Sequence, residues 1–208
     1  MFGILVWGDS ISFGRGESSQ LGWSGRLKNY FESRDFYNCL FNLSIPGDTS
    51  TSLLNRFETE IKARVKFIRP DDKFIIIIGV GVNDSRRLAS MNGFETELNL
   101  FEQNISTLIN IAKKYTKEIV ILELIPVDEN KTAHFENTSF TNDVVKIYNK
   151  VLKDSANKNK IHYIELFDLF FKLNYIDLLF DGLHPNKEGY QKMYGFIKDY
   201  LIKKELII

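Results

Sequence analysis

Residues 73–84 read Lys73-Phe74-Ile75-Ile76-Ile77-Ile78-Gly79-Val80-Gly81-Val82-Asn83-Asp84, and this run decides the fold class. A strand with one wet face alternates apolar and polar residues. Phe74 to Ile78 is apolar at every position, the pattern of a strand covered on both faces, and it predicts the central strand of a parallel sheet. The glycines and the Asn83-Asp84 pair beyond it end the strand in a polar turn.

Four further stretches rich in apolar and β-branched residues read as strands: Phe2–Trp7, Tyr37–Leu43, Glu118–Leu124 and Ile161–Leu166. Between and after them, residues 22–33, 51–67, 95–115, 141–156 and 188–204 space their apolar side chains three and four apart, as Leu100, Ile105, Leu108, Ile109 and Ala112 do. Alternating strands and helices imply right-handed crossovers with helices on both faces of the sheet, and hence a three-layer α/β/α sandwich. No repeat, low-complexity tract or linker divides the chain, so residues 1–208 are expected to form a single domain.

The 208 residues are 44% hydrophobic and 26% charged, a usage that excludes collagen-like, low-complexity and disordered classes. Lys plus Arg and Asp plus Glu both number 27, leaving no general attraction to nucleic acid or to an anionic membrane. The one cysteine, Cys39, lies in an apolar run and reads as a buried thiol. Met1 to Trp7 gives way at once to Asp9 and Ser10, unlike an export signal, and the longest apolar run, Phe74 to Val82, is too short to span a bilayer. A cytoplasmic protein without a membrane span is the expectation.

In an open parallel sheet, ligands bind beyond the carboxyl ends of the strands. Gly8-Asp9-Ser10, Pro46-Gly47-Asp48 and Gly81-Val82-Asn83-Asp84 follow the first three strands, and Asp181-Gly182-Leu183-His184-Pro185 precedes the last helix, with Asn186 as its N-cap. These loops can share one rim. A serine hydroxyl becomes a useful nucleophile when a base removes its proton, and the imidazole of His184 suits that task. Asp181, three residues upstream, can accept the other ring proton and fix the tautomer. The Ser10 and Gly47 backbone N–H groups and the Asn83 amide supply donors for a developing oxyanion. Each pattern alone is ordinary turn chemistry, and the functional reading comes from their conjunction.

These residues resemble the SGNH hydrolases, also called the GDSL family of esterases and lipases. The family's four blocks match Gly8-Asp9-Ser10-Ile11-Ser12, Gly47, Gly81-Val82-Asn83-Asp84 and Asp181-Gly182-Leu183-His184-Pro185 in order, with Ile11 in place of the usual Leu. The resemblance implies a flavodoxin-like fold, a five-stranded parallel sheet in the order 2-1-3-4-5, and neither metal nor organic cofactor. It assigns Ser10, Asp181 and His184 as the catalytic residues, with Ser10, Gly47 and Asn83 forming the oxyanion hole. Ser12 stands where an α/β-hydrolase nucleophile elbow has its second glycine, which argues against that other fold.

Asp9 is a candidate substrate contact, and Arg86 and Arg87, which follow the Asn83 block, are candidates to meet an anionic group on a substrate. The alternatives are that Asp9 caps the following segment and that Arg86 and Arg87 are solvated surface charge. Asp9 and Asp84 without a His or Cys cluster are weak evidence for a metal. His162 reads as structural, His134 as a loop residue, and the 14-residue segment 127–140 as a border of the binding site. The expected function is hydrolysis of a short-chain acyl or acetyl ester through an acyl-enzyme. Carbohydrate, lipid and other small-molecule esters, as well as thioesters, remain open as substrates. The rival is a non-catalytic binding protein on the same fold. Oligomeric state is not readable from the sequence.

Overall fold

The structure, a computed structural model, describes residues 2–65, 72–88, 93–133 and 138–207. Five strands form one parallel sheet: β1 (Phe2–Gly8), β2 (Cys39–Asn42), β3 (Lys73–Gly79), β5 (Ile119–Leu122) and β7 (His162–Ile164), side by side as β2-β1-β3-β5-β7. Counted among these five alone, the order is 2-1-3-4-5, as the resemblance implied. The other two strands, β4 (Arg87–Leu88) and β6 (Thr138–Ser139), make a separate antiparallel ribbon.

β3 is central, with β1 and β5 as its neighbours. Ile75, Ile76, Ile77 and Ile78 are all buried, as are Ile4 to Trp7 of β1 and all four residues of β5. Helices cover both faces. α2 (Gly22–Glu32) packs on α8 (Lys187–Lys203), while α3 (Ser50–Val65), α4 (Leu98–Ala112) and α6 (Asn142–Asn159) follow one another. Each buries an apolar stripe, such as Phe101, Ile105, Leu108, Ile109 and Ala112 of α4. The short α7 (Phe167–Phe171) follows β7 and buries Phe167 and Phe170. Trp7 of β1 meets Phe57 of α3 edge-on at 4.6 Å and donates its ring N–H to Glu60 at 2.7 Å.

Several expectations shift in detail. Cys39 is only half-buried, because β2 lies at the edge of the sheet, and burial raises its thiol pKa. The segment 127–140 carries the short helix α5 (Glu129–Thr132) and β6 rather than continuous loop. His134 and the predicted helix end at Phe67 lie outside the described residues. His162 sits in β7 beside Tyr200, 3.3 Å from its hydroxyl, a structural setting as expected. Among the described residues no helix is long and apolar enough to cross a membrane.

Candidate active site

β1 ends at Gly8 in a sharp turn into α1 (Ser10–Phe13). A Cβ on Gly8 would lie 2.5 Å from both the Gly79 carbonyl oxygen and the Ser12 hydroxyl, so only glycine lets this turn pack against β3. Asp9 is the N-cap of α1, its Oδ1 accepting the Ile11 N–H at 2.9 Å. Asp9 is 1% exposed and does not line the cavity where substrate contact was expected. The capping alternative is the one the structure shows. Burial, against that backbone hydrogen bond, pushes the Asp9 carboxyl up to about 7.

The loop before α8 folds back on itself. Phe180 N–H donates to the His184 carbonyl at 2.8 Å, and Asn186 N–H to the Leu178 carbonyl at 2.9 Å. Asn186 Oδ1 accepts the N–H groups of Glu188 and Gly189, the predicted cap. Within this loop Asp181 Oδ1 accepts the backbone N–H of His184 at 2.8 Å and of Leu183 at 3.0 Å. Asp181 Oδ2 lies 2.7 Å from His184 Nδ1, and His184 Nε2 lies 2.8 Å from Ser10 Oγ. Burial alone would raise the Asp181 carboxyl. The His184 ring and backbone hydrogen bonds and the His184 charge outweigh it and hold the group at about 2.

Two further loops meet this chain of contacts. Gly47 adopts φ +87° with open space where a Cβ would stand, so its backbone conformation, not crowding, calls for glycine. Asn83 donates its side-chain N–H to the Asp48 carbonyl at 2.9 Å and thereby ties the two loops together. The neighbouring Asp84 is fully buried and accepts from the Ser50 hydroxyl at 2.6 Å and from the Ser50 N–H, fastening the start of α3 to the same turn. Burial, opposed by those bonds, raises the Asp84 pKa.

Ser10, Gly47, Asn83 and His184 therefore line one cavity of about 410 Å³ at the carboxyl ends of the strands, a volume typical of small-molecule sites. Pro46, Phe140 and Leu183 supply its apolar wall, and Arg86 reaches it as expected. Arg87 does not. Its guanidinium lies over the Phe94 ring at 5.0 Å. Arg15 and Thr138 also line the cavity, and neither carries a signal in the sequence. Arg15 lies beyond the end of α1, and Thr138 arrives through the β4–β6 ribbon, a pairing of two-residue strands that leaves no periodic pattern. Among the described residues, no three His, Cys, Asp or Glu side chains gather as metal ligands. A hydroxyl bonded to an imidazole that is itself held by a carboxylate can be activated as a nucleophile.

The GDSL-like lipase/acylhydrolase family model matches residues 6–192. Thioesterase 1/protease 1/lysophospholipase L1 of Escherichia coli K12 is 25% identical over 205 residues, covering 97% of this chain and 82% of that protein. The fold resembles a lipase/acylhydrolase from Enterococcus faecalis, with TM-score 0.76, 19% identity and coverage of 98% and 97% of the two chains. It also resembles Axe2, an acetylxylan esterase from Geobacillus stearothermophilus, with TM-score 0.72, 19% identity and coverage of 94% and 91%.

Proposed function

Since the chain belongs to the GDSL-like lipase/acylhydrolase family, we propose that it hydrolyses short-chain acyl or acetyl esters through a serine acyl-enzyme. The observation that carries this is the 2.8 Å contact between Ser10 Oγ and His184 Nε2, residues 174 positions apart in sequence. As Ser10 Oγ bonds to the ester carbonyl carbon, its proton passes to His184 Nε2 and the carbonyl electron pair moves onto oxygen. Asp181 keeps the ring oriented and stabilises the imidazolium. The oxyanion faces the N–H groups of Ser10 and Gly47, together with the Asn83 amide proton not engaged by Asp48.

The tetrahedral species then collapses: the carbon–oxygen bond to the alcohol breaks, and Nε2 returns its proton to the departing oxygen. Water, activated by the same nitrogen, releases the acid and restores Ser10. Arg86 lines the cavity wall, where it is available to a bound substrate. The thioesterase and lysophospholipase activities in the name of the E. coli relative support including thioesters and lysophospholipids in a substrate panel. That panel also holds acetyl, butyryl and octanoyl esters and an acetylated sugar. The test is turnover of 4-nitrophenyl acetate: Ser10→Ala is expected to abolish nearly all of it. Full retained turnover would reject the mechanism, and a wild-type chain that binds esters without cleaving any would favour a binding protein.

A further inference from the structure

The permanently charged side chains on the cavity wall are both cationic. Arg15 and Arg86 both line it, and among the described residues no aspartate or glutamate does. The carboxylates beneath the site are turned elsewhere. Asp48 is engaged by the Arg56 guanidinium, Asp84 by Ser50, and Asp181 by His184. Asp9 is buried, and burial raises its pKa to about 7, so much of its charge is suppressed at neutral pH.

Both arginines are fixed to the reacting centre through the backbone. Arg15 N–H donates to the Ser10 carbonyl at 2.9 Å, and the Arg15 carbonyl accepts the Tyr190 hydroxyl at 2.6 Å. Its guanidinium is exposed, 5.5 Å from the Phe13 ring centre, and makes no ion pair among the described residues. Arg86 N–H donates to the Asn83 carbonyl at 3.3 Å. Its Nη2 meets Glu95 at 2.9 Å, which orients the guanidinium, while Nε is buried without a partner among the described residues. Two guanidiniums with planar donor edges on one small cavity suit a carboxylate or phosphate oxygen pair, even with one edge of Arg86 taken by Glu95.

We propose that the substrate ester carries an anionic group, carboxylate or phosphate, held by Arg15 and Arg86 while its acyl carbon meets Ser10. This rests on the esterase reading above and narrows it to a charge class. Phenyl acetate, 3-carboxyphenyl acetate, 3-phosphonooxyphenyl acetate and 3-trimethylammoniophenyl acetate form a matched series. The anionic members are expected to show kcat/KM about tenfold above phenyl acetate at low ionic strength, one charge-assisted contact's worth. That advantage should shrink as salt is added. Whichever anionic member is favoured identifies carboxylate or phosphate as the group recognised.

The ratio of anionic to neutral turnover should fall about tenfold in Arg15→Gln and again in Arg86→Gln, and Arg15→Glu should turn the preference toward the ammonium ester. If Arg86→Gln fails to fold for want of its Glu95 pair, Arg15→Gln carries the test. Unchanged ratios with Ser10-dependent turnover would overturn the anionic substrate and leave the esterase standing. Should no ester turn over, titrating the Ser10→Ala protein with benzoate, phenyl phosphate and benzyl alcohol by calorimetry still decides the point. Saturable binding of an anion but not the alcohol supports it, and equal or absent binding overturns it.

Discussion

Replacing Asn83 by alanine tests the proposed oxyanion donor separately from the loop tie that the same amide makes. One proton of its Nδ2 is engaged by the Asp48 carbonyl at 2.9 Å, and the other is available to the cavity that Asn83 lines. Loss of a single oxyanion donor typically removes about 2.7–4 kcal/mol of transition-state stabilisation, so turnover should slow roughly a hundred- to a thousandfold. Loss of the tie leaves the Asp48 carbonyl without its donor in a buried setting and costs about 1–3 kcal/mol of folding stability. Urea titration and steady-state turnover of 4-nitrophenyl acetate, both at a temperature where the variant is folded, read the two effects apart. KM should change little, because the donor acts on charge that develops after binding. A variant with a lowered urea midpoint but turnover within about fivefold of wild type would refute the oxyanion role and leave Asn83 as a loop tie alone.

Gly47→Ala puts a side chain where φ is +87° and no neighbouring atom lies within 4 Å of the new Cβ. Its cost is therefore conformational, about 1–2 kcal/mol in a urea titration, with turnover slowed by roughly tenfold or more as the N–H is misaimed. Asp9→Asn tests the buried cap. Because the folded-state pKa is raised from 3.8 to about 7, the folded chain holds a proton that the unfolded chain releases. Wild-type stability should fall by about 3 kcal/mol as pH rises from about 4 to 7, and the variant, followed by thermal melts, should be spared that fall. Asp181→Asn shows the opposite sign. Its carboxyl is held at about 2, so its contribution, about 2 kcal/mol, is present above pH 4 and lost as pH falls toward 2. The same variant should turn over ester about four orders of magnitude more slowly, through the wrong imidazole tautomer.

The sheet is legible in the sequence because burial on both faces writes itself into composition. Phe74 to Ile78 cannot be wetted without cost, and β3 is where the structure places them. The long helices are legible through their stripes, although α4 begins at Leu98 rather than Glu95, within the usual uncertainty of a frayed start. The short elements outside the main sheet are not. α1, α5, α7 and the β4–β6 ribbon are too short to show a period and are held by tertiary contacts such as Phe140 N–H to the Thr132 carbonyl at 3.1 Å.

The candidate site divides in the same way. Ser10, Gly47 and Asn83 lie in the loops that follow strands, and Asp181 and His184 are three residues apart in one loop, so short patterns suffice to find them. Arg15 gives no such signal. Its place depends on the Gly14 C-cap of α1, which adopts φ 109° and lets the chain turn back so that Arg15 N–H reaches the Ser10 carbonyl. Asp9 caps α1 and lies outside the cavity lining; a residue adjacent to Ser10 can point either into the cavity or beneath the turn, and sequence does not distinguish the two. The network of Asp84, Ser50 and Asn104, in which the Asn104 amide donates to the Ser50 hydroxyl at 3.0 Å, joins positions too distant in the chain for any local pattern to pair them.

The most direct measurement is peptide mass spectrometry of the chain after reaction with a fluorophosphonate, carried out in parallel on wild type and His184→Gln. One adduct is expected, on Ser10 of the wild-type protein, with labelling slowed by several orders of magnitude in the variant. An adduct on another residue, or equal labelling of Ser10 in both proteins, would contradict activation of Ser10 by His184.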